Sequence, residues 1–196
     1  MLEINDQGWV RGAHQLPSPN QDDRPLDCPL ELVVIHAISL PPGEFGGPWI
    51  DDLFGNQLNP QSHPYFAQIA ELRVSAHVLI RRQGQITQYV GFDQRAWHAG
   101  VSRYQGRECC NDFSVGIELE GDEDTVFTTE QYTALTQLLR ALADKYPSLA
   151  KPLCVVGHAD ISPGRKTDPG PMFDWEFLRT SLRAEGLTEC RLGVSH

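Results

Sequence analysis

Three short apolar runs, far apart in the chain, constrain the fold more than any other feature: ELVVIH (31–36), FSVGIELEG (113–121) and LCVVGH (153–158). Each is short and rich in β-branched or aliphatic residues, the pattern of a strand buried in a sheet. Alternate residues of a strand point to opposite faces. Leu32, Val34 and His36 therefore share one face, and so do Cys154, Val156 and His158. In the third run Val115, Ile117 and Leu119 point one way, and Gly116, Glu118 and Glu120 the other. Two apolar strands thus end in a histidine, and a third carries a glutamate on a face opened by a glycine. Strand ends are where rigid sites are commonly built, because loops there leave room for a cleft.

The segments between these runs predict the rest of an α/β domain. Residues 14–30, rich in Pro, Asp and Asn, read as irregular surface chain. Short helices are expected near 48–54 and 63–71. A hairpin is expected over 76–90, with its turn near Gln83-Gly84. Residues 128–147 form the best helical pattern: Leu135, Leu138, Leu139 and Leu142 make one stripe, and Thr128 with Gln131 fits a capping box. A last helix is expected over 173–182. Strands interleaved with helices, one hairpin among them, predict a single α/β domain with a mixed central β-sheet flanked by helices. Its boundaries are read as 1–184, with 185–196 as a flexible tail.

Composition limits the partners. The 196 residues are 40% hydrophobic and 21% charged, and the formal charge is −10. So acidic a chain argues against nucleic acid or an anionic membrane as partner. No stretch approaches the roughly 18 apolar residues of a membrane span. The N-terminal MLEINDQGWVRG has acids where a secretory signal needs basic residues and an apolar run. Five cysteines without a C-x-x-C pair suit reduced thiols. Together these predict a cytoplasmic protein with no obligate protein partner.

His36 and His158 are candidates for sharing a metal. Asp168 follows ten residues after His158, in GRKTDPGP (164–171), where Gly and Pro frame a stiff loop. Two imidazoles and one carboxylate leave an open position on zinc, the catalytic arrangement. The same donors could hold non-haem iron, as in an oxygenase. There is no H-E-x-x-H helix.

At longer range, the blocks IHAISLPPGEFGGPWIDDLF, LRVSAHVLIRRQG, RAWHAGVS, CNDFSVGIELEG and GHADISPGRKTDPGP closely resemble AmpD-type 1,6-anhydro-N-acetylmuramyl-L-alanine amidases. The likeness runs from the N-terminus to about residue 180. The wider superfamily, with phage amidase lysozymes and peptidoglycan recognition proteins, implies a mixed sheet with flanking helices and a zinc cleft. The resemblance implies that His36, His158 and Asp168 bind Zn²⁺, that Glu118 is the catalytic acid/base, and that Lys166 stabilises the transition state. The implied reaction hydrolyses the lactyl–L-alanine amide of anhydromuropeptides in cytosolic wall recycling, a process that in this family feeds into β-lactamase induction. Asp168 and Ala76 stand where the phage and recognition-protein branches have a cysteine ligand and a tyrosine.

Other candidates are substrate contacts. Arg73 matches a family position for the substrate's peptide carboxylate. Trp97 and Tyr65 are candidate cleft walls, and His77 and His98 candidate cleft or supporting residues. Ala37 and Cys109 depart from the asparagine and arginine common in the family, which puts peptide-length preference in question. The loop 40–60, rich in Gly and Pro, is expected to gate the cleft. Two further readings are a non-catalytic receptor for wall fragments and a broad amidase acting on intact wall.

Overall fold

The pairing of the first two apolar runs organises the chain. The computed structural model describes residues 2–150 and 152–193. In chain order, short strands β1 (His14–Gln15) and β2 (Gln21–Asp23) precede β3 (Leu32–Ile38). Helices α1 (Trp49–Phe54) and α2 (Phe66–Ile69) follow. Next come β4 (Val78–Ile80), β5 (Ile86–Gln88), β6 (Gln94–Ala96), β7 (Arg103–Tyr104) and β8 (Arg107–Glu108). Strand β9 (Ser114–Glu120), helix α3 (Thr129–Lys145), strand β10 (Leu153–Gly157) and helices α4 (His158–Ile161) and α5 (Trp175–Ala184) lead to β11 (Cys190–Leu192).

Seven strands form one sheet in the order β1-β5-β4-β9-β3-β10-β11. The β4–β5 hairpin is antiparallel and every other neighbouring pair is parallel. Strands β3 and β9 pair over their full lengths, Leu32 with Ser114 through Ile38 with Glu120, so His36 lies opposite Glu118.

The two faces of the sheet differ. On one, Val33, Ile35, Val115 and Ile117 pack against Leu135, Leu138, Leu139 and Leu142 of α3 and Leu178 and Leu182 of α5. Helix α3 starts where its sequence says: Thr128 Oγ1 accepts from Gln131 N at 3.2 Å, and Gln131 Oε1 accepts from Thr128 N at 3.1 Å. On the other face the apolar residues split into two clusters. One joins Ile50, Phe54, Phe66, Leu79 and Tyr89. The other joins Leu32, Val34, Phe113, Cys154, Val156 and Ile161. His36 and Glu118 occupy the face between them.

The structure corrects the sequence expectations in three places. Residues 14–30 hold β1, parallel to β5, and β2, antiparallel to β6. Strands of two or three polar residues on an edge carry no hydrophobic period, so composition does not reveal them. The helix expected over 63–71 is a single turn, α2. The expected flexible tail supplies β11 instead, where Leu153 pairs with Cys190 and Val155 with Leu192. Leu187, Cys190 and Leu192 pack on the α3 side of the core.

Truncation after Gly186 should therefore cost on the order of 2–5 kcal/mol, from the apolar contacts of Leu187 and Leu192 and the lost strand. A lower urea midpoint with helical signal retained is the expected result; an unchanged midpoint would reinstate the flexible tail.

Candidate active site

Because β3, β9 and β10 run parallel, their carboxyl ends open on one edge, the usual place for a ligand in such sheets. His36 lies near the end of β3, Glu118 near the end of β9, and His158 is the first residue past β10. The loop after α4 brings in Asp168. His36 Nδ1 lies 3.0 Å from His158 Nδ1, and each lies 3.1 Å from Asp168 Oδ2. The histidines are almost fully buried, whereas the Asp168 side chain is 18% exposed.

The loop carrying Asp168 is held from several sides. Ala159 N donates to Asp168 O at 2.9 Å, and Lys166 N donates to Ser162 O at 3.1 Å. The Thr167 hydroxyl donates to the Glu123 carboxylate. Gly157 permits the approach, since a Cβ there would sit 2.8 Å from Pro169 Cδ. A side chain at residue 157 would push the loop, and Asp168 with it, away from the histidines.

Burial sets the charge states. It pushes the His36 imidazole down to about 4, even with the Asp168 carboxylate beside it, so His36 is neutral at pH 7. Burial also raises Glu118 well above the ordinary carboxyl value; the Asp168 charge adds to this and Lys166 opposes it. Glu118 is only 9% exposed, and its Oε2 has no hydrogen-bond partner among the described residues. Two imidazoles and a carboxylate, each offering an atom within 4.8 Å of the others, are a donor set suited to zinc. The orphaned oxygen beside them marks a place for an exchangeable proton.

These groups floor a cleft of about 540 Å³, within the usual range for small-molecule sites. Lys166, Tyr65, Trp97 and His98 line it, and so does Ala37. The chain that builds this site matches a known family. Residues 26–171 match the N-acetylmuramoyl-L-alanine amidase family. The chain belongs to that family. It is 61% identical over 180 residues to the 1,6-anhydro-N-acetylmuramyl-L-alanine amidase AmpD of Escherichia coli K12, covering 92% of this chain and 97% of that protein. A crystal structure of a selenomethionine AmpD derivative superposes with a TM-score of 0.85 at 57% identity, covering 92% of this chain and 98% of that one. The E. coli amidase AmiD, in complex with anhydro-N-acetylmuramic acid-L-Ala-D-γ-Glu-L-Lys, gives a TM-score of 0.56 at 28% identity, covering 91% and 65%. The mixed sheet with flanking helices is thus the amidase fold.

In this amidase two expected contacts fall outside the cleft. Arg73 is exposed, and its guanidinium turns back to the Leu72 and Ala70 carbonyls. His77 is fully buried beneath the site, accepting from Gly116 N at 3.0 Å and facing the Gln94 carbonyl at 3.1 Å. It orders the sheet and touches no cleft space. The expected gate is anchored instead: Gly46 N donates to Glu120 Oε1 at 2.7 Å, and Arg81 binds Gly47 O, Asp51 and Glu120. Cys109 is exposed with φ of 59° and Cys110 is buried; both are free thiols. Sequence reasoning missed Asn111, whose side-chain oxygen accepts from two peptide N–H groups, and Ser114 and Arg165, which donate to backbone carbonyls beside the histidines. No motif marks such roles.

The raised Glu118 carboxyl gives a stability test on the metal-free protein. Above about pH 4.5, its ordinary value, the unfolded chain has released this proton while the folded protein keeps it. The Glu118 contribution to stability therefore declines as pH rises to the folded value, by up to about 1.4 kcal/mol per pH unit. Glu118→Gln should thus gain on wild type progressively above that pH in urea titrations. A difference that stays flat with pH would contradict the burial argument.

Proposed function

We propose that this amidase hydrolyses the amide joining the lactyl group of 1,6-anhydro-N-acetylmuramic acid to L-alanine, acting on soluble anhydromuropeptides in cytosolic peptidoglycan recycling. The observation that carries the reading is the unpartnered Glu118 carboxyl beside the His36–His158–Asp168 group, in the cleft lined by Lys166. The 61% identity to an AmpD amidase supports the substrate, and five free thiols suit a reducing compartment. No described helix is long and apolar enough to cross a membrane.

His36, His158 and Asp168 would hold Zn²⁺. Zinc bound there supplies Lewis acidity, polarising the scissile carbonyl and acidifying water. Glu118 does the proton work: its ionised form takes a proton from the attacking water and returns it to the leaving amine. A carboxyl whose pKa is raised by burial suits both halves of that transfer, because it holds the proton it takes more firmly than an ordinary carboxylate until the amine leaves. The Lys166 ammonium stabilises the negative charge that develops on the carbonyl oxygen. Trp97 and Tyr65 form the walls that orient sugar and stem peptide.

Glu118→Ala should abolish turnover, and Lys166→Ala should lower kcat by about 10²–10³. Both should still bind zinc in a chelator competition. Near-wild-type kcat for Glu118→Gln with zinc bound would remove Glu118 from the mechanism. The substrate claim is tested by product analysis on anhydromuropeptides beside intact sacculi, with and without a chelator. Cleavage of the fragments alone, lost on chelation and restored by zinc, is expected; efficient digestion of sacculi would overturn it.

A further inference from the structure

Both histidines of the three-donor group lean on one two-residue segment, His98–Ala99. His36 Nε2 lies 2.9 Å from His98 Nδ1, and His158 Nε2 lies 3.1 Å from the Ala99 carbonyl oxygen. That segment is itself held. Asn111 Oδ1 accepts from two consecutive amides, His98 N at 3.1 Å and Ala99 N at 2.8 Å. Arg165 Nη2 donates to Ala99 O at 2.7 Å. Gly116 gives the His98 ring its place, since a Cβ on residue 116 would stand 2.3 Å from that ring.

The directions of the hydrogen bonds follow from counting hydrogens. The Ser114 hydroxyl donates its single hydrogen to the Cys110 carbonyl at 2.6 Å. Toward His98 Nε2, 3.1 Å away, Ser114 Oγ can then only accept. His98 therefore carries its hydrogen on Nε2 and has a bare Nδ1. That bare nitrogen can only accept from His36, which must carry its hydrogen on Nε2 as well. Arg165 Nη2 also lies 3.4 Å from His158 Nε2, but its two hydrogens are taken by nearer acceptors, the Ala99 and Val101 carbonyls and the Ser162 hydroxyl. The Ala99 carbonyl oxygen can only accept, so His158 also carries its hydrogen on Nε2. The outcome is that both Nδ1 atoms present lone pairs toward Asp168 Oδ2, three acceptors 3.0–3.1 Å apart with no hydrogen among them.

We propose that the His98–Ala99 segment, fixed by Asn111 and Ser114, is a bracket that sets the tautomers of both metal-binding histidines and so keeps a three-acceptor cation socket preformed. Ser114 and Asn111 are positioning residues, acting through His98 and Ala99 without touching an ion. The inference rests on reading His36, His158 and Asp168 as the metal group. Supporting partners of this kind are typically worth about 10–100-fold in metal affinity.

The test begins with metal-free wild type, by ¹⁵N-resolved NMR of the histidine rings at neutral pH. His36, His98 and His158 should all carry hydrogen on Nε2; a predominant Nδ1–H form of any of the three overturns the bracket. Zinc affinity by chelator competition then compares wild type with Ser114→Ala. The expected result is a dissociation constant about 10–100-fold higher in the variant, with unchanged far-ultraviolet circular dichroism. Equal affinity would overturn the proposal while leaving the metal group intact. A wild type that takes no zinc would instead overturn the metal reading beneath it. Should Ser114→Ala fail to fold, the wild-type tautomers decide alone.

Discussion

The in-register parallel pairing of β3 with β9 is the constraint on which the rest depends. It places His36 directly opposite Glu118, so the first imidazole and the Glu118 carboxyl belong to one rigid ladder, not to separate loops. Strand β10 on the far side of β3 delivers His158 to the same edge. A one-residue slip in either pairing would turn the polar residues into the α3-side core and the aliphatic ones into the cleft. The packing of Val33, Ile35, Val115 and Ile117 against the leucines of α3 prevents that slip. The apolar face and the chemical face therefore enforce each other through the period-two geometry of the same strands.

Glu118 and Glu120 show how environment assigns roles to one residue type. They lie two apart on β9 and are both buried. Glu120 accepts from Gly46 N, Arg82 N and Arg81, and spends its charge fixing the wall of the cleft. Glu118 has no such partner on Oε2, and its carboxyl is pushed toward the protonated form. A buried carboxylate that is fully bonded serves the structure, and one left short of a partner is a candidate for proton chemistry. The anchoring of Gly46 and Gly47 through Glu120 and Arg81 also makes the 40–54 side of the cleft a fixed wall.

Much of this was legible in the sequence because burial and periodicity coincide there. The β-branched runs announced the central strands, and the leucine stripe with Thr128 and Gln131 announced α3. Alternation along the strands singled out His36 and His158 at strand ends and Glu118 on the face opened by Gly116; the strand register is what brings the three to one face. Lys166 and Asp168 were legible mainly through family resemblance, since a Gly/Pro-framed loop has no periodicity to read. The short strands β1, β2 and β11 were not legible, because backbone pairing on an edge leaves no side-chain signature. Nor were the roles of Asn111, Ser114 and the Ala99 carbonyl: one is an amide oxygen shared by two peptide N–H groups, another a hydroxyl whose direction depends on a distant carbonyl, and the third has no side-chain chemistry at all. Arg73 was marked by family resemblance and His77 by residue type; the first lies exposed at the surface and the second is packed behind the site.

The order in which the chain supplies its strands has a consequence for biosynthesis. His36 emerges early, but its ladder partner β9 arrives some eighty residues later, β10 and the Asp168 loop later still, and β11 caps β10 last. Long-range parallel pairing pays the entropy of loop closure before its contacts form, which makes it slow. A nascent chain that has not delivered Gly164–Pro171 holds two histidines with no carboxylate to complete them. Completion of the three-donor group is therefore a closing event of folding rather than its nucleus, and a chain interrupted before the last quarter of its synthesis carries only part of it.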